Sequence, residues 1–282
     1  MALDNLKSVF TYRFGHDDEL SQASAAQQWA CGLTAQAGAH LGAVIATQRH
    51  AVSNVMGASL VSGVVGSENR NMDAAAAAAA GELQTAASSA GVQCNVRTLS
   101  ATYPEVREHL TSCARLYDLV VADAAPDASS MQRELLVDIL FHAARPVVVV
   151  PLAANAVSLN TVVVGWDGSG PATRALHDAM PLLRGAQRVE VVNVLGDKEL
   201  PAGGTAAAVV PHLQRHGIAA EAREIQGEDA DAAQVLLQHA TAAGAGLVVV
   251  GAYAHSRLRQ LVFGGVTSVL MKGAPMPVLL SH

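Results

Sequence analysis

The chain contains few aromatic and few charged residues. Aromatic side chains make up 4% of its 282 residues and charged side chains 15%, whereas 51% of the residues are hydrophobic. This composition does not favour disorder, because enough apolar surface is present to bury a sizeable core. A core with so few aromatics must be built from Ala, Val and Leu, which is typical of helices packed on parallel strands. The composition therefore favours an α/β fold.

Cysteine is also scarce. The three residues Cys31, Cys94 and Cys113 are odd in number and show no C-x-x-C or Cys/His ligand spacing. Neither a disulfide framework nor a zinc site is therefore expected, and the three side chains are predicted to be reduced thiols. We likewise expect no metal site from the eleven histidines of the chain.

Long apolar runs and clusters of basic residues are missing too. No stretch reaches the ~18 apolar residues that a membrane span requires, and the N-terminus shows no apolar signal segment. The net charge is −6, and no run of Lys or Arg marks a surface for a polyanion. We therefore expect a cytoplasmic protein without nucleic-acid or membrane partners.

The chain does contain an internal repeat. In the first half, a segment with an apolar centre at 118–123 precedes a second such segment at 145–150, and the segments at 246–251 and 276–281 follow the same plan in the second half. Repetition at about half the chain length indicates a tandem duplication. We predict one domain at residues 1–152 and a second at residues 158–282.

Strand and helix patterns alternate through both halves. In the second half, the β-branched runs 161–165, 188–194 and 247–250 are separated by segments of helical periodicity, one of which is a single segment at 172–183. The order β-α-β-α-β-α-β-α-β predicts a doubly wound sheet with right-handed crossovers. We therefore predict two tandem α/β domains, each a mainly parallel five-stranded sheet with helices on both faces.

The strand at 247–250 leads into a loop that contains the candidate binding site. Gly264 and Gly265 in this loop precede a short helical segment that ends before Pro275. The N-terminus of a helix offers unpaired N–H groups and the positive end of the helix dipole. The loop is therefore predicted to bind an anion of the size of a phosphate.

This loop resembles the G-x2-G-x9-G-[ST] signature of the universal stress protein family. Gly251 and Gly264 match its first and third glycines, whereas Ala254 stands at the second glycine and Gly265 at the Ser or Thr position. The repeat and the strand order also resemble the tandem two-domain form of this family. The resemblance implies domains of the adenine nucleotide α-hydrolase-like type.

The resemblance further implies that the second half binds an adenine nucleotide, ATP or AMP, with Mg²⁺ bound only through the nucleotide. Asp167 and Val194 match the family positions that contact adenine and ribose, although the sequence around Asp167 also fits an ordinary turn and helix cap. The residues expected on the phosphate side are Gly251, Ala254, His255, Gly264, Gly265, Val266 and Thr267.

The first half lacks the glycines of this loop. Asp123 and Asp127 add negative charge where a phosphate would bind, and Arg13 stands near the position of the adenine-side Asp. We therefore expect a degenerate, universal-stress-like domain that pairs with its sister as an intramolecular pseudo-dimer. Family members usually pair through their last strand, and a homodimer of the whole chain is a further possibility.

Three functions stay open. The leading hypothesis is a stress-response regulatory protein that binds an adenine nucleotide, and the alternative is a nucleotide-independent interaction module that acts through unknown protein partners. An enzyme is the least favoured, because the chain shows no G-x-S-x-G elbow and no second acid placed near the phosphates. We predict no catalytic residues and at most slow ATP hydrolysis.

Overall fold

The computed structural model describes most of the chain. The described residues are 3, 5–49, 59–127, 129–154, 156–196, 204–227, 231–252 and 274–282. Among them, no helix is long and apolar enough to cross a membrane.

Strands and helices alternate in the described residues. The strands are β1 Ser8–Phe14, β2 His40–Gln48, β3 Gln93–Ala101, β4 Leu119–Asp123, β5 Val147–Val150, β6 Thr161–Gly165, β7 Arg188–Leu195, β8 Ala220–Gln226, β9 Leu247–Gly251 and β10 Val278–Ser281. The helices are α1 Asp17–Leu20, α2 Ala25–Ala37, α3 Ser59–Ser89, α4 Tyr103–Ala114, α5 Met131–His142, α6 Gly170–Asp178, α7 Met180–Gly185, α8 Ala206–Arg215 and α9 Ala232–Ala242.

The ten strands form one sheet in the order β3-β2-β1-β4-β5-β10-β9-β6-β7-β8. Strands within each half are parallel, whereas β5 and β10 are antiparallel, with Leu279 opposite Val148. Each half thus has the same strand order, and the two halves meet at their last strands. The predicted mainly parallel α/β fold is confirmed, while the domain boundaries at 1–152 and 158–282 stay a prediction.

Helices cover both faces of the sheet, which explains why its central strands are almost entirely apolar. On one face the core joins Trp29 of α2 to Leu176 of α6 and Leu213 of α8. On the other face it joins Leu110 of α4 to Leu236 of α9. Both cores run across the two halves, so the halves share their buried surface as well as a strand pairing.

Polar caps set the starts of the helices that lead away from the strands. Ser24 of α2 accepts a hydrogen bond from the Gln27 N–H at 3.0 Å, and Ser169 caps α6 in the same way. Such a cap contributes about 1 kcal/mol to helix stability. The single helical segment predicted at 172–183 is two helices, α6 and α7, since Pro181 near the start of α7 has no N–H to continue α6.

Candidate functional site

The strand order places β6 between β9 and β7, at the point where the order of the second half reverses. Gly165 in β6 pairs with Val192 in β7, and Val164 pairs with Val249 in β9. Asp167, Val194 and Gly251 therefore lie two residues beyond these pairs, at the carboxyl ends of three adjacent strands. Open α/β sheets bind ligands at this edge. The structure brings these three residues to one edge, and their contact with a ligand stays a prediction.

Gly251 is pressed against the start of α6. A Cβ atom built on it would lie 2.5 Å from the backbone nitrogen of Ala172 and 2.5 Å from the carbonyl carbon of Pro171. These neighbours are backbone atoms, so no side-chain rotation can relieve the overlap. The glycine is required here because the first turn of α6 packs directly on the end of β9.

Asp167 lies in the turn between β6 and α6. Its Oδ1 accepts a hydrogen bond from the Ser169 N–H at 3.0 Å, and Ser169 in turn caps the helix. The side chain is half-buried. The turn role that the sequence left open for Asp167 is therefore present, and it holds the carboxylate at the edge where a ligand would bind.

Sequence analysis missed Asn193, which organises this edge. Its side chain is fully buried, Nδ2 donates to the Trp166 carbonyl at 2.6 Å, and Oδ1 accepts from the Ala206 N–H. One amide thus links the end of β6 to the start of α8, beside Val194. The sequence signal that could have identified it is a single amide in the otherwise apolar end of β7. A buried amide must find hydrogen-bond partners, so such a residue links neighbouring segments.

Six of the predicted site residues lie outside the described residues. They are Ala254, His255, Gly264, Gly265, Val266 and Thr267.

The first half carries Asp123 where the second half carries Gly251. Asp123 pairs with Val150 at the end of β4, just as Gly251 pairs with Ser281 at the end of β9. Its Oδ2 accepts from the Ser24 hydroxyl at 2.6 Å, and its Oδ1 accepts from the Ala26 N–H at 2.8 Å. Burial raises the pKa of this carboxyl, while these hydrogen bonds oppose the shift. A carboxylate of the protein thus occupies the N-terminus of α2.

Arg13 lies at the carboxyl end of β1. Val9 in β1 pairs with Leu119 as Val162 in β6 pairs with Leu247, so Arg13 corresponds to Trp166, one residue before Asp167. Its side chain is buried, and its Nη2 donates to the carbonyls of Glu19, at 2.8 Å, and Gln22. Burial lowers the pKa of the guanidinium, against the attraction of Asp123. Arg13 thus fastens β1 to the chain around α1.

A cavity of about 330 Å³ opens at this same edge of the first half. We call it the first-half cavity. Its lining combines the ends of β1 and β4, the segment between α1 and α2, and the start of α5, and it includes Tyr12, Arg13, Glu19, Asp123, Asp127 and Leu152.

Histidines approach each other on a different surface of the second half. His212 and His216 lie four residues apart on α8 with ring centroids 4.8 Å apart, and His177 of α6 lies 5.3 Å from His212. Partial burial lowers the pKa of His212, and its electrostatic interactions with His216, His177 and Arg215 act in the same direction. Sequence analysis missed this spacing. In the parts of the chain that the structure describes, no three His, Cys, Asp or Glu residues form a group suited to a metal ion.

The fold defines the chain as a protein with two doubly wound α/β units joined through their last strands. Residues 159–282 match the family model described as Universal stress protein family. The second half of the chain is therefore similar to the universal stress protein family, in agreement with the resemblance in its sequence.

Solved structures show that the fold likeness extends over both halves. A universal stress protein from Archaeoglobus fulgidus DSM 4304 is similar with a TM-score of 0.67 and 14% identity, over 96% of this chain and 97% of that chain. A putative universal stress protein from Pseudomonas aeruginosa UCBPP-PA14 is similar with a TM-score of 0.56 and 14% identity, over 100% and 95%. No curated protein matches the sequence. The tandem form follows from these whole-chain matches and from the repeated strand order.

Proposed function

We propose that the chain is a cytoplasmic stress-response regulatory protein that binds an adenine nucleotide, ATP or AMP, in its second half. The observation that carries the proposal is the meeting of Asp167, Val194 and Gly251 at the carboxyl ends of β6, β7 and β9, inside the segment that matches the family. This edge is where open α/β sheets bind their ligands.

The roles follow the position of each residue along the edge. Asp167 and Val194 face the nucleoside, and the loop that begins at Gly251 takes the phosphates, with Mg²⁺ entering only together with the nucleotide. Ala254 adds a methyl group that costs about 1 kcal/mol if its backbone must adopt a positive φ. Gly265 lacks a hydroxyl, which costs roughly 0.5–1.5 kcal/mol of binding. We therefore expect weak nucleotide binding and at most slow hydrolysis.

The first half serves as an intramolecular pseudo-dimer partner in this proposal. β5 and β10 are both fully buried and pair antiparallel, so neither leaves an exposed sheet edge. A homodimer of the whole chain would have to use another surface, because this edge is already occupied.

Calorimetric titration of ATP and AMP with Mg²⁺ tests the proposal. We expect saturable binding to the full chain and its loss in Gly264→Asp, which places a carboxylate in the phosphate loop. Gly81→Asp is the matched control, because Gly81 is exposed on α3 and a Cβ there meets no atom within 4 Å. Equal binding by both variants would assign the heat to another site.

The second candidate is a nucleotide-independent interaction module acting through protein partners. It is favoured by the first half, where Asp123 blocks the phosphate position, and by Leu116, a large apolar side chain that is 80% exposed. Absence of heat at millimolar nucleotide, with a folded chain, would contradict the nucleotide proposal and favour this candidate.

A further inference from the structure

We propose that the first-half cavity binds a small organic cation, an amine carried on an apolar or aromatic body. This site is separate from the proposed nucleotide site, because it lies at the ends of β1 and β4 rather than β6 and β9. Its volume of about 330 Å³ is at the lower end of the range of small-molecule pockets.

The body of the ligand is inferred from the apolar part of the lining. Phe14 and Leu20 contribute buried apolar surface, and Pro126 and Leu152 stand nearer the solvent. Leu152 is 70% exposed, which is unusual for a large apolar side chain in this chain. An apolar or aromatic ligand body would cover this side chain and bury the remaining wall.

Tyr12 offers the cavity a hydroxyl that has no partner among the described residues. Its side chain is 7% exposed and lines the cavity, and no described residue hydrogen-bonds to its hydroxyl. The hydroxyl oxygen is not among the fully buried polar atoms without a partner, so it is open to the space of the cavity. A polar atom of a ligand in the cavity would satisfy this hydroxyl.

The sign of the ligand charge follows from the charged groups in the wall. Glu19, Asp123 and Asp127 contribute three carboxylates, whereas Arg13 is the single cationic side chain among the described residues of the lining. The charged groups of both signs already have hydrogen-bond partners in the protein. Arg13 donates to the carbonyls of Glu19 and Gln22, and each of the three carboxylates accepts a hydrogen bond from a neighbouring group. The excess of carboxylates therefore attracts an ammonium group and repels a phosphate.

The start of α5 at the cavity wall contributes positive potential, but this helix end already has its partners. The Ser130 hydroxyl accepts from the Arg133 N–H, and Asp127 lies just ahead of the helix. The negative charge of Asp127 offsets the helix dipole at this wall. With Asp127 assigned to the helix dipole, Glu19 and Asp123 still outnumber Arg13 in the lining, so its charge favours a cation.

Two probes of the same shape and opposite charge test the inference. Tyramine carries an ammonium group on a phenol, and 4-hydroxyphenylacetate carries a carboxylate on the same phenol. Isothermal titration into the full chain should show saturable binding of tyramine and at least tenfold weaker binding of the acid. Asp127→Asn should reduce the preference for tyramine over the acid, because it removes one carboxylate at the cavity rim.

Tyr12→Phe is the decisive variant, since it removes only the hydroxyl that has no partner. We expect tyramine to bind about three- to tenfold more weakly, the usual effect of one lost hydrogen bond. Tyr117→Phe is the matched control, because Tyr117 is in the same half but outside the cavity lining, and it should leave binding unchanged. Circular dichroism of both variants verifies folding.

Three results would overturn the inference: no tyramine binding at millimolar concentration, equal binding of the acid and the amine, or equal binding by Tyr12→Phe and wild type. The nucleotide proposal is tested separately, because Gly264→Asp should leave tyramine binding intact whether or not ATP binds.

Discussion

The two halves share a strand order but close the end of their fourth strand in opposite ways. In the second half, the backbone of α6 packs directly on Gly251. In the first half, the carboxylate of Asp123 stands in that place and accepts hydrogen bonds from Ser24 and Ala26 at the start of α2. The residue at the end of the fourth strand thus determines its contact with the neighbouring helix. At Gly251 the backbone of α6 packs on the strand, and at Asp123 a carboxylate accepts hydrogen bonds at the start of α2.

The two halves also differ in the strand that pairs with their first strand, which is β2 in the first half and β7 in the second. Glu190 in β7 is 3% exposed and binds His239 of α9 at 2.6 Å and Arg188 at 3.0 Å. The equivalent residue in β2 is Gly42, where a Cβ would lie 2.0 Å from the Tyr117 hydroxyl. One half fills this position with an ionic network and the other with an aromatic ring, so duplication has preserved the backbone but not the packing.

Among the substitutions that test this comparison, we expect Gly251→Asp, which gives the second half the residue of the first, to lower stability most. Gly251→Asp places a side chain against the backbone of Pro171 and Ala172, so we expect a loss of about 3 kcal/mol in the free energy of unfolding. Urea denaturation measures it. An unchanged midpoint would show that α6 can move away from β9 at little cost.

Asp123→Ala should have the next largest effect. It leaves the Ser24 hydroxyl and the Ala26 N–H without their acceptor, so we expect a loss of about 1–3 kcal/mol in urea denaturation. Asp123→Asn keeps an acceptor oxygen and serves as the control. Equal losses in both variants would indicate that the charge, rather than the acceptor, matters.

Asp123 also predicts a pH dependence. Its pKa is raised in the folded chain, so the folded state binds its proton more tightly than the unfolded state does. The resulting stability is present below the ordinary pKa of 3.8 and is lost as the pH rises through the raised value. Asp123→Asn should flatten this part of the curve of unfolding free energy against pH, and an unchanged curve would contradict the assignment.

Glu190→Gln tests the difference between the ionic network at Glu190 and the aromatic packing at Gly42. The substitution keeps the shape of the side chain but removes the charge that binds His239 and Arg188, so we expect a loss of about 1 kcal/mol in urea denaturation. Glu221→Gln is the control, because Glu221 is more exposed and should contribute little. A loss at Glu221 as large as at Glu190 would show that burial does not set the strength of the network.

The smallest expected effect lies at the histidines between α6 and α8. The pKa of His212 is lowered when the chain folds, so its contribution is present above the ordinary value of 6.5 and lost as the pH falls. His177, His216, Arg215 and, through His216, Arg184 supply the surrounding groups. His212→Gln should reduce the fall in Tm between pH 7.5 and 5.5 by about 1–2 °C. An equal fall in Tm in the wild type and in His212→Gln would show that His212 does not contribute to this pH dependence.

Much of the architecture was predictable because it depends on local patterns. The buried valine runs of β4, β6 and β9 are apolar throughout, which identifies strands covered on both faces. The repeated spacing of such runs predicted two similar halves. The candidate site was predictable only where a strand end and a motif coincide, as at Asp167 and Gly251, whereas Asn193 and the cavity beside Tyr12 depend on residues that are distant in the chain.

The sequence by itself determined the α/β class, the duplication and the family resemblance of the second half, because strand length, apolar periodicity and glycine spacing are local properties. Only the tertiary structure decided that β5 pairs with β10 and that Asp123 stands where Gly251 stands. Only the tertiary structure also decided that Tyr12 faces a cavity edged by carboxylates. These features arise from contacts between segments far apart in the chain, whose geometry depends on how the helices pack on the finished sheet.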